Sequence, residues 1–190
     1  VIALLRPALS LFLLLSLITG GLYPALTTGL AKALFPAQAA GSLLHRGGEV
    51  VGSALIGQPF DEPRYFWGRP SATSPMPYNG LGSGGANLGP SNPALLEATR
   101  ARIAALRAAD PSLPAALPAD WVTTSASGLD PHISLAAAQL QLGRVSRQRH
   151  LPLARVQQLL DAHTERPLGG WFGEAQVNVL ALNLALDASQ

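Results

Sequence analysis

Asp130, His132 and Ser134 crowd into one short stretch, with Ser127 just upstream. Drawn from separate elements, such residues make a serine–histidine–aspartate relay, in which the carboxylate orients an imidazole that takes the hydroxyl proton. That relay defines one reading, a membrane-anchored hydrolase using Ser127 or Ser134 with His132 and Asp130. Neighbours within one turn rarely converge on an oxyanion hole, so local turn chemistry is the simpler reading. Asp130 then accepts from nearby backbone amides, and Ser134 caps a helix. One histidine and one carboxylate are too few ligands for zinc, so no metal site is expected here.

The glycines at 80, 82 and 85 match the spacing of a dinucleotide fingerprint. The context does not match: no strand leads in, and no acidic residue follows about twenty positions on. Ser83-Gly84-Gly85 is a weak, three-residue match to the signature loop of ATP-binding cassettes, and a turn or nest whose backbone amides bind a partner's carbonyls or an anion is the plainer reading. Twelve of the thirteen basic residues are arginine, and the single lysine is Lys32. A phosphate loop needs a lysine directly after its glycines, and a Schiff base needs one held in a site. Lys32, at the end of an apolar run, reads as an interfacial anchor. There is no cysteine, which excludes disulfides, thiolate metal sites and cysteine nucleophiles.

Arg144, Arg147 and Arg149, with Arg155, could face an acidic partner, but a solvated helix face is the plainer expectation. Asn178 and Asn183 lie in an otherwise apolar stretch. Each is either a satisfied core amide or a contact to another subunit, and both readings stay open. The basic excess is only two charges, thirteen against eleven, and Arg6 and Lys32 account for it. The remaining chain is neutral, so no nucleic-acid partner is expected, even where two helices meet at a short turn.

These groups need a frame. Residues 7–31 carry no charge, while apolar residues make up 48% of the chain, charged residues 13%, and mean hydropathy is +0.24. A helix of that length reaches roughly 37 Å, more than the ~30 Å of a hydrocarbon core. We read a membrane span with Gly20, Gly21 and Gly29 as close-approach positions and a kink at Pro24. Ala37-Gln38-Ala39 would suit a signal peptidase, but the run exceeds a signal core. The flanking charges do not orient the span.

Beyond it, Glu49–Gln58 is rich in β-formers and reads as one or two strands. Residues 63–93 hold six prolines and six glycines, yet also four of the eleven aromatic residues. An ordered irregular loop is expected, because disordered linkers seldom concentrate aromatics. Asn92 should cap a helix begun by Pro93, with Leu95, Thr99, Ile103 and Leu106 on one face. Val122–Ser125 reads as extended, Ser134 should cap a helix running to about Arg149, and Pro152 should start the next. A strand at 176–179 and a short apolar helix close the chain. The expected class is α+β: one N-terminal transmembrane helix followed by a mixed α/β extramembrane domain.

Several blocks together resemble the C-subunit family of Kdp-type potassium-transporting ATPases. They are Ser53–Gln58, Tyr65-Phe66 with Arg69-Pro70-Ser71, Tyr78-Asn79, Ser83–Pro93, Val122-Thr123 through Ser127–Ser134, and Val177–Leu180 with Leu182-Asn183. The similarity runs from about Arg6 to Asp187. Family members more often carry serine at Ala86 and proline at Leu135. The resemblance implies an accessory, non-catalytic subunit of a bacterial inner-membrane complex for ATP-driven, high-affinity potassium uptake. Its partners would be a potassium-channel-like subunit, a P-type ATPase catalytic subunit and the lipid bilayer. The family is described as a catalytic chaperone raising the ATPase subunit's ATP affinity.

On that basis residues 1–8 are a short cytoplasmic N-terminus, 9–34 the transmembrane helix and 42–190 an extracytoplasmic domain. ATP and potassium are handled by the complex, with no cofactor held by this chain. Candidate subunit contacts are Gly20, Gly21, Gly29, Asn87, Asn92, Asp130, His132, Asn178 and Asn183. A nucleotide-binding regulatory module using Ser83, Gly84, Gly85 and Gln141 is the alternative the family's ATP role brings with it. The chain has no aspartate followed by Lys-Thr-Gly, and so no P-type phosphorylation motif of its own.

Overall fold

The computed structural model describes residues 2–167 and 169–189, so the outermost residues of the expected ranges 1–8 and 42–190 lie outside the description. The chain divides into two compact units, one ending at Ser53 and the other beginning at Ala54.

In the first unit the uncharged run is helical, with an apolar stretch from Ala3 to Leu34 long enough to cross a membrane. It comprises α1 (Ile2–Leu17), a π-helical turn (Ile18–Leu22) and α2 (Tyr23–Leu34). The feature expected at Pro24 takes the form of that π turn, one turn upstream. Proline has no amide hydrogen for the carbonyl four residues back. The helix widens instead, and Tyr23 N–H donates to Ile18 O. Thr19 and Thr27 turn their hydroxyls onto Leu15 O (2.7 Å) and Tyr23 O (2.9 Å), which keeps polar groups satisfied within an apolar helix. A short α3 (Pro36–Ala39) follows, then a hairpin of β1 (Leu43–Arg46) and β2 (Glu49–Ser53). Its register sets Arg46 opposite Glu49 across the Gly47-Gly48 turn. The expected strand region therefore ends at Ser53, and Ala54–Gln58 runs on without strand pairing.

The second unit contains α4 (Pro93–Ala109), α5 (Ala119–Val122), β3 (His132–Ser134), α6 (Leu135–Gln139), α7 (Leu142–Arg149), α8 (Leu153–Ala162), β4 (Thr164–Glu165), β5 (Gln176–Asn178) and α9 (Val179–Ala188). Asn92 caps α4 by accepting from Ala94 N–H, as expected. Leu106 is the buried residue of its apolar face, and Leu95, Thr99 and Ile103 are half-buried beside it. The sheet has the order β3-β5-β4 and is antiparallel throughout. Ile133 stands opposite Val177, and both are buried in the core with Trp121, Val145, Val156, Leu160 and Leu182.

Two local expectations are corrected. Val122 closes α5 rather than opening a strand, and extended backbone begins at Thr123. The single helix expected from Ser134 to Arg149 is two, α6 and α7, separated at Leu140-Gln141. Ser134 does cap the first, accepting from Ala137 N–H. At the break Gln141 N–H bonds Ala138 O, a tighter turn that ends the α register.

Candidate functional site

Residues 63–69 carry no regular structure, so their backbone groups need partners from elsewhere. Each carbonyl from Pro63 to Arg69 accepts from a side chain. Arg144 serves Pro63 O and Tyr65 O, and Arg149 serves Arg64 O at 2.7 Å. Asn183 takes Phe66 O at 2.9 Å and Gln141 takes Trp67 O at 3.1 Å. Arg102 takes Gly68 O at 2.8 Å, and the Tyr78 hydroxyl donates to Arg69 O at 2.6 Å. The amides of Phe66 and Trp67 donate in turn to Asn183 Oδ1 (2.9 Å) and Gln141 Oε1 (2.7 Å). Two side-chain amides thus do what a neighbouring strand would do. Arg144 and Arg149 also lie over the Trp67 and Tyr65 rings, each guanidinium 4.8 Å from the ring centre.

This corrects the solvated face expected for Arg144 and Arg149, whereas Arg147 and Arg155 are exposed as expected. Arg144 and Arg149 are only 3% and 5% exposed, and Arg149 also reaches Asp187 Oδ1 at 2.8 Å. Burial pulls the Arg144 pKa down to about 10, so it remains cationic at neutral pH. Of the two roles open to Asn178 and Asn183, the structure places both in the domain interior. Asn178 caps α9 at Ala181 N–H (3.0 Å) and donates to Ala54 O (2.8 Å). Gln141 is 1% exposed, with all four hydrogen-bonding positions filled: Trp67 N–H, Trp67 O, Arg144 and Ala137 O.

The Asp130–Ser134 stretch lines a cleft of about 380 Å³ with Arg69, Asp120, Glu174 and Gln176. Asp130 accepts from His132 N–H (3.0 Å) and from Arg69 (2.9 Å). The His132 ring sits between carboxylates, with Nδ1 3.4 Å from Asp130 and Nε2 3.8 Å from Glu165. Its hydrogen bond to Asp130 raises the His132 pKa above its ordinary value, against the opposing effect of burial. Burial pushes the Asp130 carboxyl up, but its hydrogen bonds from His132 and Arg69 outweigh that and hold it low. Ser134 bonds Asp120 through both N–H (2.7 Å) and Oγ (3.0 Å), and Ser127 accepts from Leu129 N–H. Both nitrogens of His132 face carboxylates, so the hydrolase relay is not assembled. Sequence spacing missed Arg69, Asp120 and Glu165 because they arrive from distant elements. Among the described residues, no three His, Asp or Glu side chains gather as metal ligands.

The glycine block packs on the chain's own backbone. Gly84 N–H and Ser83 Oγ both donate to Ser127 O, at 2.8 and 3.1 Å. Gly85 and Gly128 press against the carbonyls of Ala126 and Gly84. Asn87, exposed and with φ of 51°, borders a second groove of about 370 Å³ with Leu88 and Thr123–Ala126. Asn92 is exposed at the start of α4. In the first unit, a β-carbon built on Gly20 or Gly29 meets no described atom of that unit within 4 Å beyond its chain neighbours and the helix's own backbone, and one on Gly21 meets the Leu17 side chain.

A sequence model of the family described as "KdpC: K+-transporting ATPase, c chain" matches residues 5–188. The chain is similar to the potassium-transporting ATPase KdpC subunit of Variovorax paradoxus (strain S110), 64% identical over 97% of this chain and 96% of the relative. The subunit of Polaromonas naphthalenivorans (strain CJ2) is 65% identical over 97% of this chain and 94% of its own length. That of Sorangium cellulosum (strain So ce56) is 60% identical over 98% of each.

Proposed function

The chain belongs to the K+-transporting ATPase c-chain (KdpC) family, and from that membership we propose that it is a single-span accessory subunit supporting assembly and ATP-driven potassium uptake without reactive groups of its own. Its partners in this reading are the channel-like potassium subunit and the P-type catalytic subunit, which handle potassium and ATP. Residues 1–8 lie in the cytoplasm, 9–34 cross the inner membrane, and 42–190 fold outside it. The apolar helix supports the span, and the neutral balance of the remaining chain suits a solvated domain that repels neither ions nor partners.

One observation carries the non-catalytic reading: among the described residues, the buried side chains of Gln141, Arg144, Arg149 and Asn183 are spent on holding residues 63–69. Gln141 has no unfilled position, and Ser83 and Gly84 are engaged with Ser127. Those are the groups a nucleotide site would have needed. A domain that spends these buried polar groups on its own backbone offers shape and rigidity rather than chemistry.

The test is reconstitution. Co-expressed with both larger subunits, the full chain should co-purify in detergent, and potassium-stimulated ATP hydrolysis should fall when it is left out. The purified full chain should show no saturable ATP binding. Full transport without the chain, or ATP turnover by the chain alone, would overturn the reading.

A further inference from the structure

Trp171 and Phe172 stand out from the connection between β4 and β5, 79% and 70% exposed. Their rings meet edge to face with centres 5.4 Å apart. The connection is built to hold them. Gly170 N–H donates to Pro167 O at 3.0 Å, closing a turn. Gly169, at φ 66°, lets the Trp171 indole fold over the backbone, where an added β-carbon would lie 3.0 Å from its Nε1. A paired, preorganised aromatic tip loses little entropy on docking. Left in water, it exposes a large apolar surface that a domain of this composition gains nothing by showing.

The charges around the tip choose between a bilayer and a protein. In sequence Glu165, Arg166 and Glu174 flank it, all three exposed, and Glu165 also faces His132 Nε2 at 3.8 Å, which leaves Glu174 as the carboxylate beside the tip. A tip meant for an anionic lipid surface gathers cations, each of which adds attraction to that surface. A carboxylate beside the tip instead suits a protein pocket with an apolar floor and a basic rim, where paired aromatics act as anchors.

We infer that Trp171 and Phe172 form a docking tip that enters an apolar, basic-rimmed pocket on a partner subunit of the transport complex. The inference rests on the accessory-subunit reading and adds the surface that makes the contact. The absence of cysteine supplies a clean probe. Phe172→Cys places a single thiol at the tip, and Gln158→Cys places a control on the exposed side of α8. Each full-length variant is labelled with a polar maleimide, alone in nanodiscs containing anionic lipid and again within the purified complex.

The expected result is labelling at 172 slowed by about tenfold or more in the complex and unhindered in the nanodisc, with 158 reactive in both. Selective failure of Phe172→Cys to co-purify, while Gln158→Cys and the unaltered chain do, supports the same contact. Equal reactivity at 172 in complex and nanodisc overturns the inference and leaves the accessory role standing. Protection already present in the nanodisc assigns the tip to lipid and overturns it too. Failure of the unaltered chain to co-purify defeats the accessory reading itself.

Discussion

Gln141 faces Trp67 as one strand residue faces another: its Oε1 accepts the Trp67 N–H at 2.7 Å while its Nε2 donates to Trp67 O at 3.1 Å. Beside it Asn183 does the same for Phe66. The pair holds a proline- and glycine-rich segment in one conformation without a sheet. Replacing Gln141 with alanine orphans two buried peptide groups, at about 1–3 kcal/mol each. We expect Gln141→Ala to lose about 2–5 kcal/mol in urea unfolding of the full chain in detergent. Gln141→Glu, which keeps the acceptor, should recover part of that.

Arg144 spreads its guanidinium over the Pro63 and Tyr65 carbonyls and Gln141 Oε1. Lysine keeps the charge but not the fork. Arg144→Lys should therefore cost about 2–4 kcal/mol, close to Arg144→Ala, as read by thermal unfolding. Near-wild-type stability of the lysine variant would contradict the geometry.

Gly84, Gly85 and Gly128 should respond unequally to alanine. A β-carbon on Gly85 would sit 2.8 Å from Ala126 O, and one on Gly128 2.7 Å from Gly84 O, whereas one on Gly84 meets nothing within 4 Å. Gly85→Ala and Gly128→Ala should each destabilise by about 1–3 kcal/mol, and Gly84→Ala by less than about 0.5 kcal/mol. A loop shaped to take a nucleotide would show its sensitivity in ATP binding, with little change in unfolding.

His132 ties β3 to β4 through Asp130 and Glu165, and its pKa is raised by the hydrogen bond to Asp130. A raised imidazole value means the folded chain binds its proton more tightly than the unfolded chain does. The stabilisation is thus complete below the unfolded value, about 6.5, and is lost as pH climbs through the higher folded value. Melting temperature should decline across that window, and His132→Gln should flatten the decline. Asp130, held low, stays ionised throughout and loses its contribution only in acid, as pH falls through its depressed value.

A β-carbon on Gly20 meets no described atom of the first unit within 4 Å beyond its chain neighbours and the helix's own backbone. Gly20→Leu should leave the chain's helicity and unfolding unchanged. If the span packs against a neighbouring helix there, the recovery of the assembled complex should drop several-fold on co-purification. Unchanged recovery would remove Gly20 from the interface.

The membrane-length helix and the Asn92 and Ser134 caps were legible in the residues, because each depends on near neighbours. Composition sets apolarity, and a cap needs only the next three residues. The fates of Arg144, Arg149, Gln141 and Asn183 were not legible. They meet backbone 81, 85, 74 and 117 positions away, at Pro63, Arg64, Trp67 and Phe66. Helical spacing describes which face a side chain occupies, and an arginine on a short polar helix looks solvated by that measure. Only the folded chain brings up an irregular strand whose unpaired carbonyls make burying a cation favourable. The same holds for His132: the turn and cap chemistry read from its sequence neighbours is present at Asp130 and Ser134, but only the tertiary structure brings Glu165 to its ring.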